Sequence, residues 1–184
     1  MIQALLTSAG LENPRLLQAL SRMLPQPARQ IQALFIPTAA IDEDARAVLP
    51  KCRKDVLDLG VPEAHITDYD LDRPLAPAEL AGYGLLYVCG GNTSHLAARM
   101  RAQGFAQALP AFFAAGGVYV GVSAGSLVAA GNCPGGLGLA AATLRVHRPC
   151  GATPGPIDPA APLCLDLTNA QALRLEGGRA DILE

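Results

Sequence analysis

The chain has 184 residues, 51% of them hydrophobic, and a formal net charge of −2, enough for one full core and without the basic stripe that nucleic-acid binding needs. No apolar run reaches the roughly eighteen residues that span a bilayer, and no basic segment leads a short apolar one at the N-terminus, so neither an anchor nor a cleaved signal peptide is expected. Aromatic residues are 4% and Trp is absent, which leaves few stacking platforms for bases or sugars.

Short β-type runs alternate with helical patterns, the mark of a parallel sheet between helices. Ile2 to Thr7 reads as a first strand, and Asn13-Pro14 as a cap and first turn. Leu16, Leu17, Leu20, Met23 and Leu24 then follow with helical spacing. Ile31 to Ile36 is a second strand stopped by Pro37, and Asp42 caps a helix from about Glu43 to Leu59 that ends at Gly60. His65 to Tyr69 is a short third strand, and a proline-bearing loop runs on to Pro77. Leu85 to Val88 is the next buried strand, followed by helices from Thr93 or Ser94 to Arg101 and from Phe105 to Ala115. The strand of the run Gly117 to Val122 leads into Ser123, and Ser126 to Ala130 is again helical. Beyond that, Ala142 to His147 could be a strand and Pro149 to Pro162 reads as loop. Gln171 to Leu175 and Arg179 to Leu183 form a hairpin turning at Gly177-Gly178. With no linker and no repeat, one domain is expected over 1–184.

The most chemically informative segment is Gly121-Val122-Ser123-Ala124-Gly125. A serine flanked by glycines two residues either side, on the bend from buried strand to helix, is a nucleophile elbow. The amide of Ala124 would point into the same space and help stabilise an oxyanion. Gly90-Gly91-Asn92-Thr93 lies at another strand end, where open α/β sheets bind ligands. There Thr93 is expected to cap the next helix and Asn92 to offer a donor and an acceptor to substrate. A nucleophilic serine needs a base. Of three histidines, His65 starts an early strand and His95 sits in a helical first turn, both ordinary structural places. His147, at a strand end after the serine, is the candidate base. Cys52, Cys89, Cys133, Cys150 and Cys164 form no CxxC pair and no zinc spacing, so reduced thiols in a cytoplasmic protein, with no metal or cofactor, are expected.

These motifs, with Thr7-Ser8, Ile36-Pro37-Thr38-Ala39, Gly136-Leu137-Gly138-Leu139, Leu167-Thr168-Asn169-Ala170-Gln171-Ala172 and Glu176-Gly177-Gly178, occur in the order of the peptidase E (aspartyl dipeptidase) family and its cyanophycinase relatives. The resemblance spans nearly the whole chain. It implies a three-layer αβα sandwich like class I glutamine amidotransferases, with a mostly parallel sheet and a C-terminal hairpin. It also implies serine exopeptidase action on short peptides, with Ser123 as nucleophile and His147 as base. Gly91 and Ala124 would then be the oxyanion-hole amides, and Asn92 and Thr93 substrate contacts.

Two departures stand out. The family carries an acid after the serine to orient the histidine, and between Ser126 and Val146 this chain has none. A Ser–His dyad, an amide orienter such as Asn132, or a carboxylate from elsewhere remain: Asp158 is the nearest downstream acid, and Glu43 and Asp44 lie beyond the second strand. Second, the stretch that supplies a basic residue for an N-terminal Asp holds only Arg148 here, so Asp-X preference is not carried over; Arg145 is the other nearby cation. Three readings follow: a serine peptidase, a catalytically weakened relative binding a small metabolite or peptide, and, lowest, an α/β-hydrolase esterase, for which the sequence after Ser123 is short. Phe112-Phe113 and the proline loop could sit at a subunit contact, which allows a homodimer, although core packing is the simpler place for the phenylalanines.

Overall fold

Strict alternation along the buried strands assigns each side chain to one of two cores, so the sheet lies between helical layers. The computed structural model describes residues 1–184. In chain order the elements are β1 (Gln3–Thr7), α1 (Pro14–Met23), β2 (Ala33–Ile36), α2 (Glu43–Asp58), β3 (Ile66–Asp68), α3 (Pro77–Leu80) and β4 (Leu85–Val88). They continue with α4 (Thr93–Ala102), α5 (Phe105–Ala114), β5 (Val118–Val122), α6 (Ala124–Ala129), β6 (Thr143–Arg145), β7 (Gly155–Ile157), β8 (Cys164–Asp166), β9 (Ala172–Glu176) and β10 (Arg179–Leu183). The eight-stranded sheet runs β3-β2-β4-β5-β1-β9-β10-β7. Its first five strands are parallel, and β9, β10 and β7 continue it antiparallel. β6 and β8 make a separate two-stranded parallel ribbon.

Leu5, Tyr87, Val118 and Val120 face one layer, where α1 brings Leu16 and Leu20 and α2 brings Cys52 and Val56. Leu6, Leu86, Val88 and Tyr119 face the other, against Leu96, Phe105, Phe112 and Val128 of α4, α5 and α6. Truncating any of these leucines to alanine is worth about 2–5 kcal/mol, so the two-sided alternation is strongly enforced. Phe112 and Phe113 belong to this core, edge-to-face at 5.3 Å.

Three elements depart from the sequence expectation: α3, a single helical turn opening at Pro77 where the proline-bearing loop ends, and the strands β7 and β8. β7 lies inside the proline-rich stretch read as loop; its three residues pair only with β10 at the sheet edge, where a proline costs no internal ladder bond. β8 has three residues and pairs outside the main sheet, too short for any periodicity to mark it. For the site, register matters most: Thr7 is level with Val122, and Val88 with Gly121. The segments leaving β1, β4 and β5 therefore meet above one end of the sheet.

Candidate active site

Ser123 leaves β5 with φ +47° and ψ −106°, a strained conformation that turns the chain directly into α6. Only glycine fits on either side. A Cβ on Gly121 would fall 2.7 Å from the Gly125 carbonyl carbon, and one on Gly125 would fall 2.3 Å from the Val88 carbonyl oxygen. Hydrogen bonds then lock the bend. The Ser123 N–H donates to Thr7 O at 3.1 Å. Ser126 Oγ shares its hydrogen between Thr7 O (2.7 Å) and Gly121 O (2.8 Å), and the Tyr119 hydroxyl donates to Gly125 O at 2.8 Å. Burial alone pushes the Tyr119 hydroxyl far above its ordinary range, so it stays a neutral donor.

His147 reaches the serine from the segment after β6, with Nε2 3.0 Å from Ser123 Oγ. Its backbone is also left-handed, at φ +56°, a state that costs a non-glycine residue about 1–3 kcal/mol unless its surroundings hold it. The buried Ser8 hydroxyl does so, accepting the His147 N–H at 2.7 Å. On the far side of the ring, Nδ1 lies 2.8 Å from Asn169 Oδ1, and Ser8 Oγ lies 3.5 Å from the same oxygen. Nδ1–H donating to Oδ1 leaves Nε2 as the unprotonated nitrogen facing the Ser123 hydroxyl, the tautomer a general base requires.

Asn169 therefore stands where the sequence reading placed Asn132 or Asp158. Asn132 is spent elsewhere: its amide donates to Leu144 O at 2.7 Å and its Oδ1 accepts the Leu144 N–H at 2.9 Å, bracing β6. Asp158 accepts the Ala160 N–H in a local turn. Neither makes a hydrogen bond to His147. Only membership of the Leu167–Ala172 motif marked Asn169 beforehand, and Ser8 likewise only its place after β1.

The Gly90-Gly91 turn faces the elbow closely; a Cβ on Gly90 would lie 3.2 Å from Ser123 Cβ. The Gly91 N–H makes no hydrogen bond within the chain, and Ala124, first residue of α6, has no carbonyl one turn earlier in its helix to receive its own. Asn92, not Thr93, caps α4: its Oδ1 accepts the His95 N–H at 2.8 Å, so Thr93 is the first helical residue. Neither residue lines the cleft beside Ser123.

That cleft, of about 360 Å³, runs between α2 and the ends of β1, β4 and β5 and contains Ser8, Gly91, Ser123 and His147. Beneath it, Asp55 is 6% exposed and accepts from the Leu11 N–H (2.9 Å) and the Tyr87 hydroxyl (2.5 Å), which fixes the segment after β1. Burial raises the Asp55 carboxyl despite these two bonds, and burial likewise pushes Tyr87 well up. Cys52 and Cys89 line the cleft as free thiols; a hydrogen bond with Cys89 lowers Cys52, while burial pushes Cys89 well up. Nowhere are three or more His, Cys, Asp or Glu side chains grouped to hold a metal ion, and no helix is long and apolar enough to cross a membrane.

A serine on a strand-to-helix bend at the ends of a mostly parallel sheet defines an α/β protein of the hydrolytic kind. Residues 4–134 match the family model of peptidase family S51, and the chain belongs to that family. Over 101 residues it is 36% identical to the uncharacterized peptidase PM1590 of Pasteurella multocida (strain Pm70), a stretch covering 53% of this chain and 47% of that one. It thus spans about half the length of that relative. A candidate peptidase E from Listeria monocytogenes EGD-e, known from a 1.5 Å crystal structure, has the same fold. It superposes with a TM-score of 0.75 at 18% identity over 100% of this chain and 98% of its own. A peptidase from an acI-B1 actinobacterium gives 0.66 at 18% identity, over 100% and 87%.

Proposed function

We propose that the protein is a serine exopeptidase acting on short peptides, with Ser123 as nucleophile and His147 as general base. The observation that carries this reading is the 3.0 Å contact between His147 Nε2 and Ser123 Oγ at the elbow. As Ser123 Oγ bonds to the scissile carbonyl carbon, its proton passes to Nε2, and the oxyanion is met by the N–H groups of Gly91 and Ala124. The same proton then goes to the leaving amine as the C–N bond breaks; water, deprotonated by His147, attacks the acyl carbon, and the proton returns from Nε2 to Ser123 Oγ as the ester bond breaks. Asn169 holds the imidazole tautomer but, being neutral, stabilises the imidazolium less than a carboxylate would. That favours slow turnover, the nearest relative of a weakened enzyme. The 360 Å³ cleft fits a short peptide rather than a folded chain. A location in the cytoplasm agrees with five free thiols.

The test is labelling with a fluorophosphonate probe, mapped by peptide sequencing, alongside hydrolysis of a dipeptide panel. Labelling at Ser123 is expected, and Ser123→Ala should abolish it and lower hydrolysis by roughly 10³-fold or more. Binding of peptides with turnover equal to that of Ser123→Ala would replace the enzyme by a binding protein.

A further inference from the structure

The cleft beside Ser123 is apolar where an acid-selective site would need an unpaired cation. One wall is Ala45, Val48, Leu49 and Cys52 of α2; Cys89 and Val122 close it at the ends of β4 and β5. Lys51, the one Lys or Arg among its lining residues, lies 3.0 Å from the Glu12 carboxylate. Arg145 and Arg148, on either side of His147, both turn to Asp166, at 2.5 Å and 3.7 Å. A substrate carboxylate entering here would lose water, and the one cation lining the cleft, Lys51, already has a carboxylate partner; Arg145 and Arg148, which share Asp166, do not line it. An aliphatic side chain would instead cover Val48, which is 48% exposed on the cleft wall.

The sheet order says which part of a substrate lies against that wall. His147 and Asn169 come in over β1 and its neighbour β9, Ser123 stands on β5, and α2 meets the cleft beside β4. His147 must protonate the leaving amine, so the amine lies on the β1 side. The acyl part then extends across β5 toward β4 and α2.

We propose that the α2 wall, with Val48 and Leu49 at its centre, is the acyl-side specificity pocket and selects a small aliphatic residue (alanine, valine or leucine) over aspartate. The assignment rests on Ser123 being the nucleophile, and its test separates the two. Wild type and Val48→Lys are assayed on leucine, valine, alanine and aspartate p-nitroanilides, with fluorophosphonate labelling of Ser123 read in parallel. Wild type should favour the best aliphatic substrate over the aspartate one by about tenfold or more in kcat/KM, the scale at which a hydrophobic pocket discriminates. Val48→Lys should lower the aliphatic kcat/KM and raise that for aspartate. Aspartate hydrolysed as fast as the aliphatic substrates, with Ser123 labelled, overturns the pocket assignment and leaves the peptidase reading standing. No labelling and no hydrolysis of any substrate overturns both.

Discussion

The two halves of the site are held in opposite ways. Ser123 is bracketed by buried backbone: Val122 ends a fully buried strand, and Ala124, Gly125 and Ser126 begin a helix packed on it. His147 and Asn169 are exposed, lie on segments outside the main sheet's strands, and are fixed by side-chain hydrogen bonds reaching across the sequence to Ser8. Close packing enforces the nucleophile, so altering it strains the core. Hydrogen bonds enforce the base, so altering it should change the rate far more than the stability.

The strongest way to break that contrast is Gly125→Ala. Its Cβ would fall 2.3 Å from the Val88 carbonyl oxygen, and the obstacle is strand backbone that cannot swing aside. Overpacking of this kind costs about 1–3 kcal/mol, and more where backbone must move. Urea unfolding should show that loss, together with loss of Ser123 labelling. Unchanged stability would mean that the elbow is not held by packing.

Asn169 probes the other half. Asn169→Ala should leave unfolding within about 0.5 kcal/mol of wild type, as expected for an exposed polar site, while kcat falls roughly 10²-fold because nothing fixes the imidazole tautomer. Asn169→Asp should act in the opposite direction, raising kcat. A carboxylate beside the ring favours the charged imidazolium, so the acid limb of the pH profile of kcat/KM should also move to higher pH. A slower Asn169→Asp enzyme with an unmoved acid limb would remove Asn169 from the orienting role.

The same contrast explains what could be read in advance. The parallel strands and the elbow were legible because each is written locally, in a short continuous apolar run such as Leu85 to Val88 or in glycines two residues either side of Ser123. Asn169 was not, since a single amide before β9 has no spacing rule connecting it to His147. Asn132 looked suitable because it is near in sequence, yet its amide is satisfied twice by the Leu144 backbone. Asn92 took the cap expected of Thr93 for a similar reason: both are competent caps, and the backbone position of the first helical turn decides between them.

Ser8 sharpens the comparison most finely, because it is a buried side chain serving the exposed half. Its oxygen accepts the His147 N–H, so its own hydrogen is free for Asn169 Oδ1 at 3.5 Å. That arrangement keeps the carbonyl end of the Asn169 amide, rather than its NH₂, turned toward Nδ1. Ser8→Ala should let the amide flip, which would present a donor to Nδ1 and move the imidazole proton to Nε2, the wrong nitrogen for a base. The expected result is a fall of about tenfold in kcat with KM little changed, a smaller effect than Asn169→Ala. In an Asn169→Asp background the same change should cost much less, because a carboxylate presents oxygen whichever way it turns. The double-mutant cycle isolates that coupling. Equal losses in both backgrounds would show that Ser8 serves only the strained His147 backbone; a loss confined to the Asn169 background assigns it to the tautomer.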